Sequence, residues 1–427
     1  MKTLLLLTIM FATILFGQDI ISQQNREAPH SVQDTLNLPK APGITNLDIV
    51  SHVKHMLKDG EFSGQFMTMY AGYNSASNAA GSDTSTYATS VGGQIKYALA
   101  KLDGFNAAAA VYASWDILPL SGDISQGHQN YELSSTSGKY TSLAEAYVNY
   151  NHDNFNLKAG RQVLQNPLVD NDPIRIIQDT YEAYIATYLY RDLTFTAGNV
   201  QKWQGYDAGL INHFTTVGKN GLWLGGVEFS NKNIDSSLWF YNILDMTNAT
   251  YADISYHDNL IPNLFLHVSA QYINEQEINN SGISSNVYGS MIELISHGFN
   301  FFAAYNGAIV PKHKQSFSAF GGGPLYTSMD TMIIDNIAIG RDAQAFVISP
   351  SYTYKNLSFI YAYGNFTGNA NSQRIKAHII EQDARVQYKP NDKLTLALMT
   401  AVYNNVQDPR EAGGHWTRVE GYMAYNF

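Results

Sequence analysis

The chain has 427 residues, a formal net charge of -10 and a pI of about 5.6; only 15% of its residues are charged, while 13% are aromatic. It contains no cysteine, which excludes thiol nucleophiles, thiolate metal sites and disulfide scaffolds. The acidic balance, without any basic block, argues against a nucleic-acid partner. Together, 29 Tyr and 33 Gly against 5 Trp indicate a β protein.

The first residues predict a secretory signal peptide over residues 1–17. Lys2 supplies one positive charge, and an apolar run of roughly 13 residues follows from Leu4 to Phe16, the length of a signal-peptide core and too short for a membrane-spanning helix. Gly17 and Gln18 flank the expected cleavage point, and an uncleaved anchor is the alternative. No later stretch reaches membrane-helix length, so any further lipid contact must be made by strands.

Residues 18–60 predict a periplasmic tail that ends in a short helix. The segment is polar and interrupted by prolines up to Pro42. Apolar residues then recur at helical spacing between Asn46, a possible N-cap, and Gly60, a possible C-terminal cap. His52 and His55 have no third ligand nearby, so no metal site is expected here.

From residue 61 to residue 427 the hydrophobic pattern alternates with the period of a β-strand. Between residues 381 and 388, for example, Glu381, Asp383 and Arg385 fall on one face, while Ala384 and Val386 fall on the other. A soluble sandwich turns its charged face outward, whereas a membrane barrel turns it inward. The alternation alone leaves both arrangements open.

Compact polar turns and longer connections alternate through this region, which is typical of an outer-membrane barrel with short turns at one rim and long loops at the other. About eight short turns and about nine longer connections predict an all-β transmembrane antiparallel barrel of roughly 18 strands over residues 61–427. The short turns are expected at Leu102-Asp103-Gly104, His152-Asp153-Asn154, Arg191-Asp192, Asn231-Lys232-Asn233, Asp258-Asn259-Leu260, His297-Gly298, Lys355-Asn356 and Pro390-Asn391-Asp392. The longer connections are expected to start after about Asn74, Asp116, Gln162, Val200, Asp245, Glu275, Ala308, Phe366 and Asn404.

The C-terminal segment predicts the closing strand of this barrel. Phe427 and Tyr425 share one face with Met423, whereas Arg418 and Glu420 take the other. A strand that ends on Phe resembles the signal by which the barrel-assembly machinery handles its clients. Tyr425 and Phe427 are therefore the expected assembly signal, with that machinery and membrane lipids as expected partners.

One stretch carries a more specific resemblance. Between Lys158 and Arg175, a strand ends in Gly160-Arg161 and runs into a loop that contains Pro, Asp and Arg. The return Asp179-Thr180-Tyr181-Glu182 and the later segment Lys202-Trp203-Gln204-Gly205-Tyr206-Asp207 fit the same layout. This stretch resembles the OprD-like outer-membrane porins. The resemblance implies 18 strands, a third loop that folds inward to narrow the pore and a ladder of basic residues, and it is compatible with a homotrimer.

Carried over from that resemblance, Arg161, Asp172 and Arg175 are expected at the constriction, where a cationic wall opposite an acidic loop keeps a carboxylate or zwitterion paired as it crosses. An i, i+3 pair between Asp172 and Arg175 that only shapes the loop is the alternative. Alternation adds further pore-lining candidates, because a Lys or Arg on the lipid face costs about 2–4 kcal/mol at mid-membrane. These candidates are Lys96, Lys158, Asp383, Arg385 and Arg418.

The predicted function is an outer-membrane porin, a passive diffusion channel for small hydrophilic solutes across a Gram-negative outer membrane, without cofactor, metal or enzymatic activity. A channel selective for amino acids, peptides or carboxylates is the alternative. An outer-membrane barrel enzyme is a remote alternative, because the histidines are scattered and no Gly-x-Ser-x-Gly motif is present. Those histidines are His128, His213, His257, His313 and His415. Gly321-Gly322-Gly323-Pro324 in the longest loop lacks the Lys-Ser/Thr of a phosphate-binding loop. The sequence leaves open whether this longest loop or the third loop forms the constriction.

Overall fold

The structure is a computed structural model that describes residues 49–76, 84–317, 319–371, 376–406 and 414–427. Helix α1 (Ile49–Lys58) precedes the sheet at the periplasmic end, where the backbone N–H of Ala100 donates to the carbonyl of Met56 at 3.1 Å. No helix in the described ranges is long and apolar enough to cross a membrane. Gly17, Gln18 and Asn46 lie outside the described residues.

Eighteen long strands in the described part of the chain form one antiparallel sheet. The first nine are β1 (Glu61–Ala76), β2 (Thr84–Ala98), β3 (Phe105–Asp116), β4 (Lys139–His152), β5 (Phe155–Gln162), β6 (Thr180–Tyr190), β7 (Leu193–Gln204), β8 (Leu222–Ser230) and β9 (Ile234–Ile243). The others are β10 (Thr247–Ile261), β11 (Leu264–Glu277), β12 (Ser285–Ser296), β13 (Phe299–Ile309), β14 (Ala343–Tyr354), β15 (Leu357–Gly368), β16 (Ala377–Tyr388), β17 (Leu394–Asn405) and β18 (His415–Asn426). The loops add short strands at Gln165–Asn166, Val169–Asp170 and Thr215–Thr216, and 3-10 turns at Leu118–Leu120, Ile124–Gln126 and Ile334–Asn336.

The terminal strand closes the barrel against β1. The register runs from Gln65 opposite Asn426 to Ala76 opposite His415. Phe427 extends this pairing, since its backbone N–H donates to the carbonyl of Gly64 at 3.1 Å. Closure pairs each of the eighteen described long strands on both sides, and the alternation along β18 shows which face is outside. On β18, the charged side chains point inward and the large apolar ones outward, which is the inverse of a soluble sandwich.

Short turns join the strands at the periplasmic rim, and several turn residues adopt positive φ, as tight hairpins require. Asp153, Arg191, His297 and Lys355 are examples, with φ between 49° and 55°. Seven of the eight predicted turns lie where the sequence placed them. The prediction for Asp258-Asn259-Leu260 is wrong, because β10 continues to Ile261 through a register shift and turns after it.

The longer connections lie at the opposite rim, and four of them matter for the lumen: loop 2 (117–138), loop 3 (163–179), loop 4 (205–221) and loop 7 (310–342, described except for residue 318). The connection after Asp245 is only three residues long, so its prediction as a longer loop is wrong. Apolar residues of these four loops pack against inward-facing wall residues in two clusters. The loops therefore fill part of the lumen instead of extending into solvent.

Candidate pore constriction

Loops 3 and 7 pair with each other inside the barrel. The backbone N–H of Phe320 donates to the carbonyl of Leu168 at 3.0 Å, and that of Asp170 donates to the carbonyl of Phe320 at 2.9 Å. The Tyr181 hydroxyl donates to the carbonyl of Asp170 at 2.6 Å and thereby attaches this junction to β6. Both loops expected as candidates for the constriction thus contribute to a single structure across the lumen.

Gly321 permits this close approach. It adopts a φ of 88°, and a Cβ atom on it would lie 2.1 Å from the carbonyl oxygen of Asp170. Only glycine fits a backbone with this positive φ and this contact distance. The run Gly321-Gly322-Gly323, which lacks the Lys-Ser/Thr of a phosphate-binding loop, is therefore a point of contact between loops 3 and 7.

An ion-pair network, buried except at the half-buried Glu132, anchors the loops to the closing strand. Arg418 on β18 lies 2.8 Å from Asp330 of loop 7 and 3.0 Å from its neighbour Glu420, and it also pairs with Glu132 of loop 2. Arg175 of loop 3 pairs with Glu420 at 3.1 Å. We call these five residues the central network. Two arginines and three carboxylates thus join three loops to one wall strand.

Arg175 of loop 3 belongs to the central network. The side chain is buried, and its guanidinium lies 5.1 Å from the ring centroid of Tyr206. Burial and the neighbouring Arg418 lower the pKa of Arg175, but Glu420, Tyr206 and Glu132 together outweigh them, so the pKa lies above its ordinary value and the charge is permanent. Glu420 is a carboxylate partner of Arg175, so this arginine, which was expected at the constriction, anchors loop 3 to β18.

Asp172 lies in loop 3, buried, with a positive φ of 39°. It lies beside loop 7, because a Cβ atom on Gly322 would be 2.9 Å from its Oδ1 atom. The neighbouring Asp179 is also buried, and burial together with Asp207 and Asp172 raises the pKa of Asp179 well above its ordinary value. These acids belong to the folded interior of loops 3, 4 and 7.

Two acids on the inward face of β16 hold loop 7. Glu381 accepts hydrogen bonds from the backbone N–H groups of Thr331 at 2.9 Å and Met332 at 2.7 Å. Asp383 accepts a bond from the backbone N–H of Asp330 at 3.3 Å. Asp383 was a candidate pore residue; the structure places it inward, under the loop.

Inward-facing cations lie nearer the periplasmic rim. On β2, Lys96 Nζ lies 2.8 Å from Glu145 Oε2 and 5.2 Å from the centre of the Tyr147 ring. On β5, Lys158 Nζ lies 4.8 Å from the same ring centre. On β16, Arg385 donates to the Tyr422 hydroxyl at 2.8 Å. We call Lys96, Lys158 and Arg385 the basic patch, and each of its side chains is partly exposed.

A second group of inward-facing residues was missed by the sequence analysis. His257 lies 3.3 Å from Asp235, and His267 lies 3.5 Å from Glu293. Asp253 accepts a hydrogen bond from Ser237 beside them. We call Asp235, Asp253 and Glu293 the acidic patch. Extending the alternation argument to β9, β10 and β12 would have found these acids.

The two patches lie on opposite walls. The acidic patch occupies β9, β10 and β12, and Lys96 on β2 and Lys158 on β5 lie on the other side of the closed sheet of eighteen strands. Both patches are close to the short turns, below the level of loops 3 and 7. The partly exposed Lys96 and Lys158 therefore face the lumen from one side, and the partly exposed Asp235 and Asp253 face it from the other.

Arg161 does not join this lumen. On β5 it shares its face with Leu157 and Phe155, whose side chains are exposed outward, whereas Lys158 faces inward. Its Nε atom lies 3.0 Å from Glu182, and its guanidinium lies 4.4 Å from the centre of the Phe214 ring. Arg161 was expected at the constriction, but its side chain faces outward. It lies three positions from the inward-facing Lys158, and the two-residue period of a strand places the two side chains on opposite faces.

Comparisons with known proteins agree with this architecture. A family model described as outer membrane porin, OprD family, matches residues 123–395. The chain resembles Pseudomonas aeruginosa OpdK with vanillate (12% identity, TM-score 0.73, covering 87% of this chain and 99% of that one). It also resembles Pseudomonas aeruginosa OpdQ (13%, 0.71, 88% and 99%) and Acinetobacter baumannii OccAB4 (16%, 0.70, 86% and 98%). At these identities the likeness concerns the fold. Comparison with curated proteins gave no match.

Proposed function

Because the chain belongs to the OprD family of outer-membrane porins, we propose that it is a passive channel selective for small zwitterions, such as amino acids or short peptides. Loops 3 and 7 form the constriction, and the basic and acidic patches orient the solute below it. The observation that carries the proposal is the placement of the two patches on opposite walls. A carboxylate would pair with Lys96, Lys158 or Arg385 while an ammonium group faces the opposite acids.

The filled lumen supports selectivity over general diffusion. The β8–β15 side is occupied by apolar residues of loops 3 and 7 packed on the wall, including Leu168, Met329 and Ile334. The side chains of the basic patch are partly exposed, and Lys96 and Lys158 both lie near the ring of Tyr147. Partly exposed charges beside a partly filled lumen meet the requirement that each solute contact be favourable but easily released. The lumen needs no chemistry of its own for this task.

Solute flux into liposomes tests the proposal. The wild-type protein should pass a neutral zwitterion faster than an uncharged solute of equal size. Lys96→Gln with Lys158→Gln and, separately, Asp235→Asn with Asp253→Asn should each reduce zwitterion flux several-fold, because each removes one half of the pairing. Lys312→Gln, an exposed change in loop 7, is the matched control. Equal flux of all small solutes in every variant would indicate general diffusion and overturn the proposal.

We also propose that Tyr425 and Phe427 form the assembly signal. Both side chains are exposed on the outward face, where assembly factors could reach them before lipid does. Removing Phe427 should lower the yield of folded barrel in cells more than it lowers refolding in detergent, and equal losses would contradict a recognition role. A homotrimer remains an expectation from the resemblance, and the mass of the detergent-solubilised protein decides it.

A further inference from the structure

We propose that the outward face of the barrel binds the phosphorylated headgroup of a lipid through Arg161 and Lys202. These residues lie near the loop ends of β5 and β7, on either side of Glu182 on β6. Arg161 Nε lies 3.0 Å and Lys202 Nζ lies 3.4 Å from the two oxygens of this carboxylate. Two cations and one carboxylate leave one positive charge on a surface that faces lipid.

The height of this cluster along the wall matches a headgroup region. Arg161 is the second-to-last residue of β5, and Lys202 lies two residues before the end of β7, so both cations are at the loop end of the wall. On the adjacent strand β8, the exposed Trp223 lies opposite Asn199, three residues before Lys202, and is an aromatic residue of the kind that marks the membrane interface. The cations therefore lie close to an interfacial aromatic residue, on its loop side.

Both cations remain available to a ligand. The side chain of Arg161 is 35% exposed and that of Lys202 49% exposed, although each already contacts Glu182. Phe214 of loop 4 covers the guanidinium face at 4.4 Å, and the carbonyl of Leu143 accepts a bond from Nη1 at 3.1 Å. These contacts fix the guanidinium plane, which pre-orients its remaining N–H groups for the planar, bidentate geometry that phosphate accepts.

A lipid is the expected source of the phosphate. The strands below the cluster expose Leu157, Tyr184 and Tyr188 outward, a surface that acyl chains cover. A headgroup held at Arg161 and Lys202 would place its chains along this surface, so charge and apolar contacts act together. Basic side chains at the membrane surface attract anionic headgroups. Free phosphate would gain only the charge contact.

Binding of a diphosphorylated glycolipid (lipid A) to the purified barrel in detergent tests this site. Arg161→Gln with Lys202→Gln should weaken binding about tenfold, a loss expected for removal of charge-assisted bonds. Glu182→Gln should strengthen binding, because it removes the competing carboxylate. Lys312→Gln, an exposed change in loop 7, is the control and should leave the affinity unchanged. Heat-modifiable migration in gels verifies that each variant is folded.

The same glycolipid without its phosphates should bind the wild-type barrel no more tightly than the intact glycolipid binds the double variant. Millimolar inorganic phosphate should not displace the intact glycolipid from the wild-type barrel. Equal affinity of the wild-type and double-variant barrels would overturn the proposal. So would weaker binding by Glu182→Gln, since the cluster would then serve only to join β5, β6 and β7. Displacement by inorganic phosphate would assign the site to the free anion and exclude a lipid site. Because binding is measured without solute flux, these outcomes are independent of the selectivity proposal.

Discussion

The central network and the basic patch use the same residue types in different ways. In the central network, Arg175 and Arg418 are buried and share Glu420, so their charges hold three loops against the wall. In the basic patch, Lys158 is partly exposed and lies against an aromatic ring. An inward-facing arginine or lysine is therefore not by itself a solute contact. Burial distinguishes the charges that anchor loops 2, 3 and 7 from the partly exposed charges of the basic patch, which we propose contact the solute.

Glu420→Gln should have the largest effect, because it leaves Arg175 and Arg418 buried without their shared carboxylate. Loss of one partner in a buried ion pair costs about 3–5 kcal/mol. Hydrogen exchange in loops 2, 3 and 7 should rise accordingly, while exchange in the strands far from β18 stays unchanged. Glu61→Gln at the exposed start of β1 is the control. Unchanged loop protection would mean that apolar packing alone holds the loops.

Ile334→Ala measures that apolar packing. Ile334 is 0% exposed in loop 7, and Ile339 in the same loop is 50% exposed. Truncating a buried isoleucine to alanine costs about 2–5 kcal/mol, whereas the exposed position should change by less than about 0.5 kcal/mol. Hydrogen exchange of loop 7 and the noise of single-channel current should increase for Ile334→Ala only. Equal effects at both positions would show that loop 7 is not packed on the wall.

Lys158→Gln compared with Arg161→Gln tests the assignment of faces. The two residues lie three positions apart on β5, and both substitutions remove one positive charge. The reversal potential in a KCl gradient should shift towards cations for Lys158→Gln, by roughly a threefold change in permeability ratio, because this charge faces the solute path. Arg161→Gln should leave the ratio unchanged. A shift of the reversal potential for Arg161→Gln alone would place Arg161 in the pore and show that Lys158 does not face the solute path.

The smallest effect concerns pH. Burial, assisted by Arg385 and opposed by Asp392, lowers the pKa of Lys389 to about 8 at the end of β16. Raising the pH from 7 to 9 should therefore remove a positive charge near the periplasmic mouth and slightly reduce anion permeability, and Lys389→Gln should abolish this change. The unfolded chain keeps the proton until about pH 10.4, so stability should rise over the same interval above pH 8. A pH-independent permeability ratio would contradict the shifted pKa.

The sequence predicted most of the wall because the wall is built from local patterns. Alternation gave the inward positions of Lys96, Lys158, Arg385 and Arg418, since each strand has a period of two. Polar turn residues located seven of the eight short turns. The error between Asp258 and Leu260 arose because a register shift lets β10 continue through a polar segment.

The interior was less predictable. Arg161 and Arg175 were grouped because they lie in one family-like stretch, yet one faces outward and the other binds Glu420, 245 positions away in the chain. The pairing of loops 3 and 7 through Gly321 has the same non-local origin. Contacts of this kind depend on loop conformations that no residue period describes, so the tertiary structure was needed to find them.

The closed barrel and the face of most strand residues follow from the amino-acid sequence, because backbone pairing and the two-residue period act within each strand. The charges that anchor loops, face the lumen or face outward could be distinguished only from tertiary contacts. Those roles depend on burial and on partners that come together only when distant loops enter the lumen.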